Sequence, residues 1–221
     1  MKEKFLYKKI QKRFPGKENI WFEIKYSLLF ILITAIYGFF ISWARGLGWT
    51  KMYDNISDYG TPYFIFSIIA LIFLHDTYFY WGHRFMHLKK VYPIVHQVHH
   101  HSINPTPWAA YSFHPLEGFI EAGFLLIVFL MPIHIIALFI FLGFSTFFNV
   151  YGHLGYELFK PRKEKGLGFT NTATHHNMHH SFFNCNYGIY FNFWDKLMKT
   201  NHEKYYETFE KNASAKPAKL P

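Results

Sequence analysis

The chain is 221 residues long, 51% apolar and 22% aromatic, and only 17% charged, against about 25% in an ordinary soluble domain. This excludes a large aqueous surface and predicts one membrane-embedded domain, while a lone cysteine, Cys185, excludes an intrachain disulfide and a thiolate metal cage. The net charge of +9 sits on Lys and Arg flanking apolar runs, which argues against nucleic acid and for anionic lipid headgroups.

In chain order, a basic segment (Lys2, Lys4, Lys8, Lys9, Lys12, Arg13, Lys17) precedes Tyr26 to Ala44, 19 residues without a charge. About 20 residues cross the hydrocarbon as a helix, so this is the first span. It is too long for a signal h-region and no small-x-small site follows it, so it predicts a retained anchor. Arg45 to Gly60 is a polar loop punctuated by Gly46, Gly48 and Gly60. Thr61 to Leu74 begins a second span behind Pro62, and its helix continues through His75-Asp76 to about Met86. The third uncharged run, Ala122 to Gly152, is interrupted by Met131-Pro132-Ile133-His134. A hairpin turning near Pro132 keeps all the histidine sets on one side of the membrane, whereas a single crossing would split them.

The expected fold class is therefore an all-α integral membrane protein. About four transmembrane helices, two spans plus a helical hairpin, carry a cytoplasmic helical histidine-rich cap. Arg84, Lys89 and Lys90, and Lys160, Arg162, Lys163 and Lys165, lie on the side of the basic N-terminus. By the positive-inside rule the histidine sets and both termini are cytoplasmic. Residues 1–212 form a single domain with a catalytic core at about 74–200, and 213–221, rich in Ala, Lys and Pro, is a disordered tail.

Fourteen of the fifteen histidines lie between His75 and His180. Three sets dominate: His83 and His87; His96, His99 and His100; His176, His179 and His180. On a helix, residues three and four apart share a face, so each set points one way. Eight imidazoles exceed what one metal takes and fit two. His153, just past the hairpin's return, is a ninth ligand candidate. His101 faces away from its set, His134 belongs at the hairpin tip, and His202 lies in a polar tail. His114 is a structural or supporting group, His175 lies about 100° off His176, and His75 points about 100° away from the His83–His87 line. Asp76 lies on that line and deeper in the span, where an acid is costly without a purpose. Accepting an imidazole N–H directly, or through Tyr80, would fix a ligand tautomer.

No H-E-x-x-H, C-x-x-C-H or complete nucleotide-binding glycine loop is present, so electrons must come from a partner. A histidine-rich two-metal site suits iron working on O₂.

Asp76 through His87 (DTYFYWGHRFMH), Phe113 through Glu117 (FHPLE) and Thr174 through Lys196 (THHNMHHSFFNCNYGIYFNFWDK) resemble the fatty acid hydroxylase/sterol desaturase superfamily of membrane di-iron oxygenases. Pro105 to Phe119, with Asn186-Tyr187-Gly188 and Trp194-Asp195, looks most like its sterol desaturase branch. The resemblance implies two Fe ions on His83, His87, His96, His99, His100, His176, His179 and His180, with Asp76, Tyr80, His75, His114, Glu117 and His175 in supporting roles. It also implies O₂-dependent hydroxylation or desaturation of a membrane lipid, sterol-like or fatty acyl. The electrons would come from an external cytochrome, ferredoxin or reductase. In the fatty-acid branch a ligand pair spaced H-x-x-x-H precedes the last box; here Asn149 stands at its first position and only His153 remains. The alternatives are a carotenoid hydroxylase and a non-enzymatic histidine-rich membrane metal-binding protein.

Overall fold

The computed structural model of the chain describes residues 3–161 and 168–217. Three of its helices, α1 (Lys17–Gly46), α2 (Gly60–Met86) and α5 (Ile135–Gly152), are long and apolar enough to cross a membrane. A helix meets its own backbone hydrogen bonds, which lipid cannot do, and this suits such apolar stretches to a helical form. Helix α1 turns Trp21, Leu28, Ile31, Ile36 and Phe39 outward. It stops where Gly48 adopts φ 73°, letting Leu47, Gly48 and Trp49 N–H groups return to the carbonyls of Trp43, Arg45 and Ala44.

The third apolar run is a hairpin, but not of two equal spans. Its first arm is α4 (Pro115–Gly123) continued by a 3-10 turn, Phe124–Phe129, and its second is α5. At the break the Phe124 N–H bonds Ala122, and Tyr78 Oη donates instead to the Ile120 carbonyl at 2.5 Å. The fourth expected crossing is thus a broken arm of about 25 Å, and the helices long and apolar enough to cross a membrane number three among the described residues. The tip carries β2 (Ile133–His134), which pairs in parallel with β1 (Met52–Tyr53) in the α1–α2 loop, Met52 opposite Ile133 and Tyr53 opposite His134. His134 Nε2 lies 2.7 Å from the Asp54 carbonyl, and Tyr63 Oη donates to Pro132 O. The hairpin tip is thereby held at the level of the first loop, as the placement of the histidine sets required.

Leu71, Val128, Ile133, Ala137 and Phe141 pack between α2 and the hairpin. Phe30, Ile33, Phe113 and Ala122 pack between α1 and α4. Gly118 allows that second approach, since a Cβ there would lie 3.0 Å from Ile33 Cδ1.

The cap stands at the other end. It comprises the end of α2, α3 (Tyr92–Val95), 3-10 turns at His99–His101 and Pro107–Tyr111, α6 (Ala173–Phe182), α7 (Phe193–Leu197) and α8 (Tyr205–Ala213). His96–His100 is therefore not a regular α-helix: α3 ends at Val95, and the chain tightens into a 3-10 turn before the Ser102-Ile103-Asn104-Pro105 loop. The His100 N–H still bonds the His96 carbonyl at 3.3 Å, one α-type turn, so these histidines converge regardless. Met178, Tyr205, Phe209 and Ala213 join α8 to α6. Ala213, expected to open a disordered tail, instead closes a buried helix end; the tail residues 218–221 and the basic residues at 162–165 lie outside the described residues. The segment before α1 straps across the cap: Ile10 N–H donates to Gly155 O, Glu157 N–H to Lys8 O, and Gln11 Nε2 to Asn177 Oδ1.

Candidate metal centre

Nine imidazoles converge into two adjoining groups. His83, His87, His96, His100 and His179 form one, and His99, His153, His176 and His180 the other, with the candidate donor atoms of each group within 4.8 Å of one another. All nine are the histidines singled out as ligands in the sequence. Except for the half-buried His87, every ring is buried. Within the groups, Nε2 faces Nε2: His83–His96 at 3.0 Å, His87–His100 at 3.2 Å, His100–His179 at 3.0 Å, His153–His176 at 2.9 Å, His153–His180 at 3.2 Å and His99–His153 at 3.4 Å. Donors held about 2.0–2.1 Å from one ion in tetrahedral or octahedral array stand about 2.9–3.4 Å apart.

Tautomers decide what those contacts are. Carbonyls accept only, so His83 Nδ1–H donates to Tyr187 O (2.8 Å), His153 Nδ1–H to Asn149 O (2.7 Å) and His179 Nδ1–H to Cys185 O (2.7 Å). His96 Nδ1–H donates to Glu117 Oε1 at 2.6 Å. With the proton on Nδ1, the Nε2 atoms of His83 and His96 present two lone pairs to each other at 3.0 Å. A neutral pair so arranged repels; a cation between them resolves it. The residues therefore fit a metal. Burial, and after it the crowding of neighbouring imidazoles, also holds His96, His99, His100, His176, His179 and His180 well below the ordinary imidazole range, in the neutral form metals bind.

The supporting residues divide. Glu117 reaches a cluster imidazole. Asp76 does not: its Oδ1 accepts the backbone N–H groups of Tyr190 and Phe191 at 2.9 and 3.2 Å. Tyr80 relays nothing to a ring, since its hydroxyl meets Thr200 Oγ1 at 2.9 Å and its face stacks on Trp194. Both pin the 187–200 loop against α2 because α2 packs on that loop where the helical wheel left open space. His114 caps α4, its Nδ1 accepting from Leu116 N–H at 3.3 Å. His175 turns away, its Nε2 3.3 Å from Asp195 Oδ2. His75 bonds Tyr190 Oη through Nδ1 at 2.9 Å and lies deeper than either group.

The carbonyls of Tyr187, Cys185 and Asn149 were not foreseen, because every residue has one and residue type carries no signal. Asp195 was also missed as an organiser. Burial alone would raise its carboxyl, but His175, Thr200 Oγ1 and the Gly188 N–H hold it below the usual range. Its two oxygens accept Tyr187 N–H at 2.9 Å and Gly188 N–H at 2.7 Å.

Below the histidines an apolar cavity of about 590 Å³ runs between α1 and α5. Phe79 and Phe113 line it and contact the rings of His83 and His99, at 5.1 Å between centroids in each case. From Phe30 to Arg45 on α1 its wall extends about 22 Å.

Comparison with known proteins agrees with this geometry. The family described as fatty acid hydroxylase matches residues 68–200. Delta(7)-sterol 5(6)-desaturase erg31 of Schizosaccharomyces pombe is 37% identical over 151 residues, covering 68% of this chain and 48% of that protein. Lathosterol oxidase of Rattus norvegicus is 34% identical over 160 residues, covering 68% of this chain and 50% of that protein. The chain thus spans about half the length of these relatives. No solved structure matches.

Proposed function

We propose that this chain, which belongs to the fatty acid hydroxylase family, oxidises an unactivated C–H position of a membrane lipid, sterol-like or fatty acyl, with O₂ and an external electron donor. Two iron ions on the nine histidines would supply the reduction of O₂ and the abstraction of hydrogen. The balance is one O₂, two electrons and two protons per turnover, giving an alcohol and one water, or an alkene and two waters. The observation that carries the reading is the facing Nε2 pair of His83 and His96, whose Nδ1 protons are already committed.

The protein's part is positional. Tyr187 O, Asn149 O, Cys185 O and Glu117 orient four rings, and the half-buried His87 lies nearest to solvent, where a soluble electron carrier has access. Phe79 and Phe113 form the partition between rings and slot and keep water from the reacting carbon. The basic flanks favour a cytoplasmic cap.

Metal analysis and oxygen uptake test this. Purified protein in nanodiscs is expected to hold two irons per chain and to consume O₂ when reductant and lipid are supplied. Iron below one per chain after reconstitution would overturn it. So would full iron with no lipid-dependent O₂ uptake, which favours the non-enzymatic metal-binding alternative.

A further inference from the structure

Glu121 stands one helical turn beyond Glu117 on α4, so the two carboxyls share a face about 6 Å apart along the axis. Glu117 is committed to His96. Glu121 is enclosed by protein yet keeps open surface, and that surface is a wall of the cavity. No described residue gives its carboxyl a hydrogen bond or an ion pair. A desolvated carboxyl without a partner is costly unless something enters to pair with it.

A second polar group, the His75 ring, lines the same cavity and packs edge-on against Phe124, three residues from Glu121, at 4.8 Å between centroids. Its Nδ1 is engaged by Tyr190 Oη, leaving Nε2 without a hydrogen-bond partner among the described residues. Most of the surrounding wall is apolar. At the far end Arg45 lines the cavity and is paired with Asp54 at 2.6 Å, so no free cation awaits an anionic headgroup beside Glu121. Ile31 on α1 and Phe139 on α5 line the cavity and are also 57% and 65% exposed. The slot therefore opens sideways to lipid.

We propose that Glu121 and His75 form a recognition site for a neutral hydroxyl group on the lipid that occupies this cavity, entering from the bilayer between α1 and α5. The site rests on the proposed function for there being a lipid substrate. A hydroxyl donates and accepts at once, matching a carboxyl and an imidazole nitrogen that line one apolar cavity. A carboxylate or phosphate headgroup would bring a charge into an apolar wall where the one lining arginine is already paired. An ammonium group brings no acceptor and a far larger desolvation cost.

Equilibrium binding to iron-loaded protein in lipid nanodiscs tests the site without turnover. The probes are radiolabelled lathosterol and 1-octadecanol, each against its methyl ether, with octadecylamine as the cationic comparison. At least one alcohol is expected to bind about tenfold more tightly than its ether, the worth of one well-placed hydrogen bond. Glu121→Leu should erase that preference and Glu121→Gln should retain most of it, both at unchanged iron per chain. No preference for either alcohol in the parent protein, an undiminished preference in Glu121→Leu, or tightest binding of octadecylamine would overturn the proposal. Loss of the oxidase reading looks different: the alcohol preference persists while O₂ uptake is absent.

Discussion

Single residues divide the nine imidazoles into those with a committed Nδ1 proton and those without. Glu117 is the one carboxylate that orients a ring of the centre, through His96 at 2.6 Å. Glu117→Gln keeps the shape and weakens the acceptor. Groups that orient metal-binding histidines are worth about 10–100-fold in metal affinity, so a chelator competition should show a loss of that size. Unchanged retention of iron would count against the assignment. The same burial sets a pH dependence for the metal-free protein. Its buried imidazoles stay neutral when folded, whereas in the unfolded chain they take up protons near about pH 6.5. Below that value the unfolded state binds more protons, and stability falls with pH. The thermal midpoint of metal-free protein should therefore drop as pH is lowered from about 7.5 to about 5. A flat profile would mean the rings already carry protons when folded.

Elements matter because the centre is assembled from pieces with little regular structure. The loop between α6 and α7 supplies the carbonyls of Cys185 and Tyr187 to His179 and His83, and Asp195 in α7 holds that loop by two backbone N–H groups and Thr200. Asp195→Ala leaves those donors buried and unpaired, at a cost of about 3 kcal/mol. It should lower the thermal midpoint and speed proteolysis within 183–200; a midpoint equal to the parent's would refute the loop-holding role. Helix α1 was legible from an uncharged run of membrane length, and α2 and α5 from shorter apolar runs that begin behind Pro62 and Pro132. The hairpin was legible from Pro132 and from the need to bring the histidines together. The break after Gly123 was not, because it follows from Tyr78 reaching the Ile120 carbonyl across a helix interface. Eight of the nine clustered histidines were legible from i, i+3 and i+4 spacing, which the bond from His100 N–H to His96 O preserves through an irregular segment; His153 was legible only from its place just past the hairpin's return. Asp76 was misplaced because a helical wheel knows its own helix and nothing of the loop packed on it.

At the scale of the whole molecule, β1 and β2 mark one end and the histidine cap the other, with α1, α2 and α5 between. Single cysteines placed at Lys51 and at Lys90, in a Cys185→Ser background, should react with a membrane-impermeant thiol reagent from opposite sides of sealed vesicles. Labelling of both from one side would refute the crossing of α2, the helix that separates them. The two histidine groups, by contrast, are not separate bodies. The short segment 96–100 gives His96 and His100 to one group and His99 to the other, and α6 likewise gives His179 to the first and His176 and His180 to the second. Whatever orders these two segments around a first ion has already arranged the second group's donors, so the second ion pays less of the ordering entropy. If the two groups hold two ions, as proposed, uptake is cooperative. A preparation that assays at one metal per chain is a mixture of full and empty molecules, and its activity reports the fraction filled rather than the competence of a half-built centre.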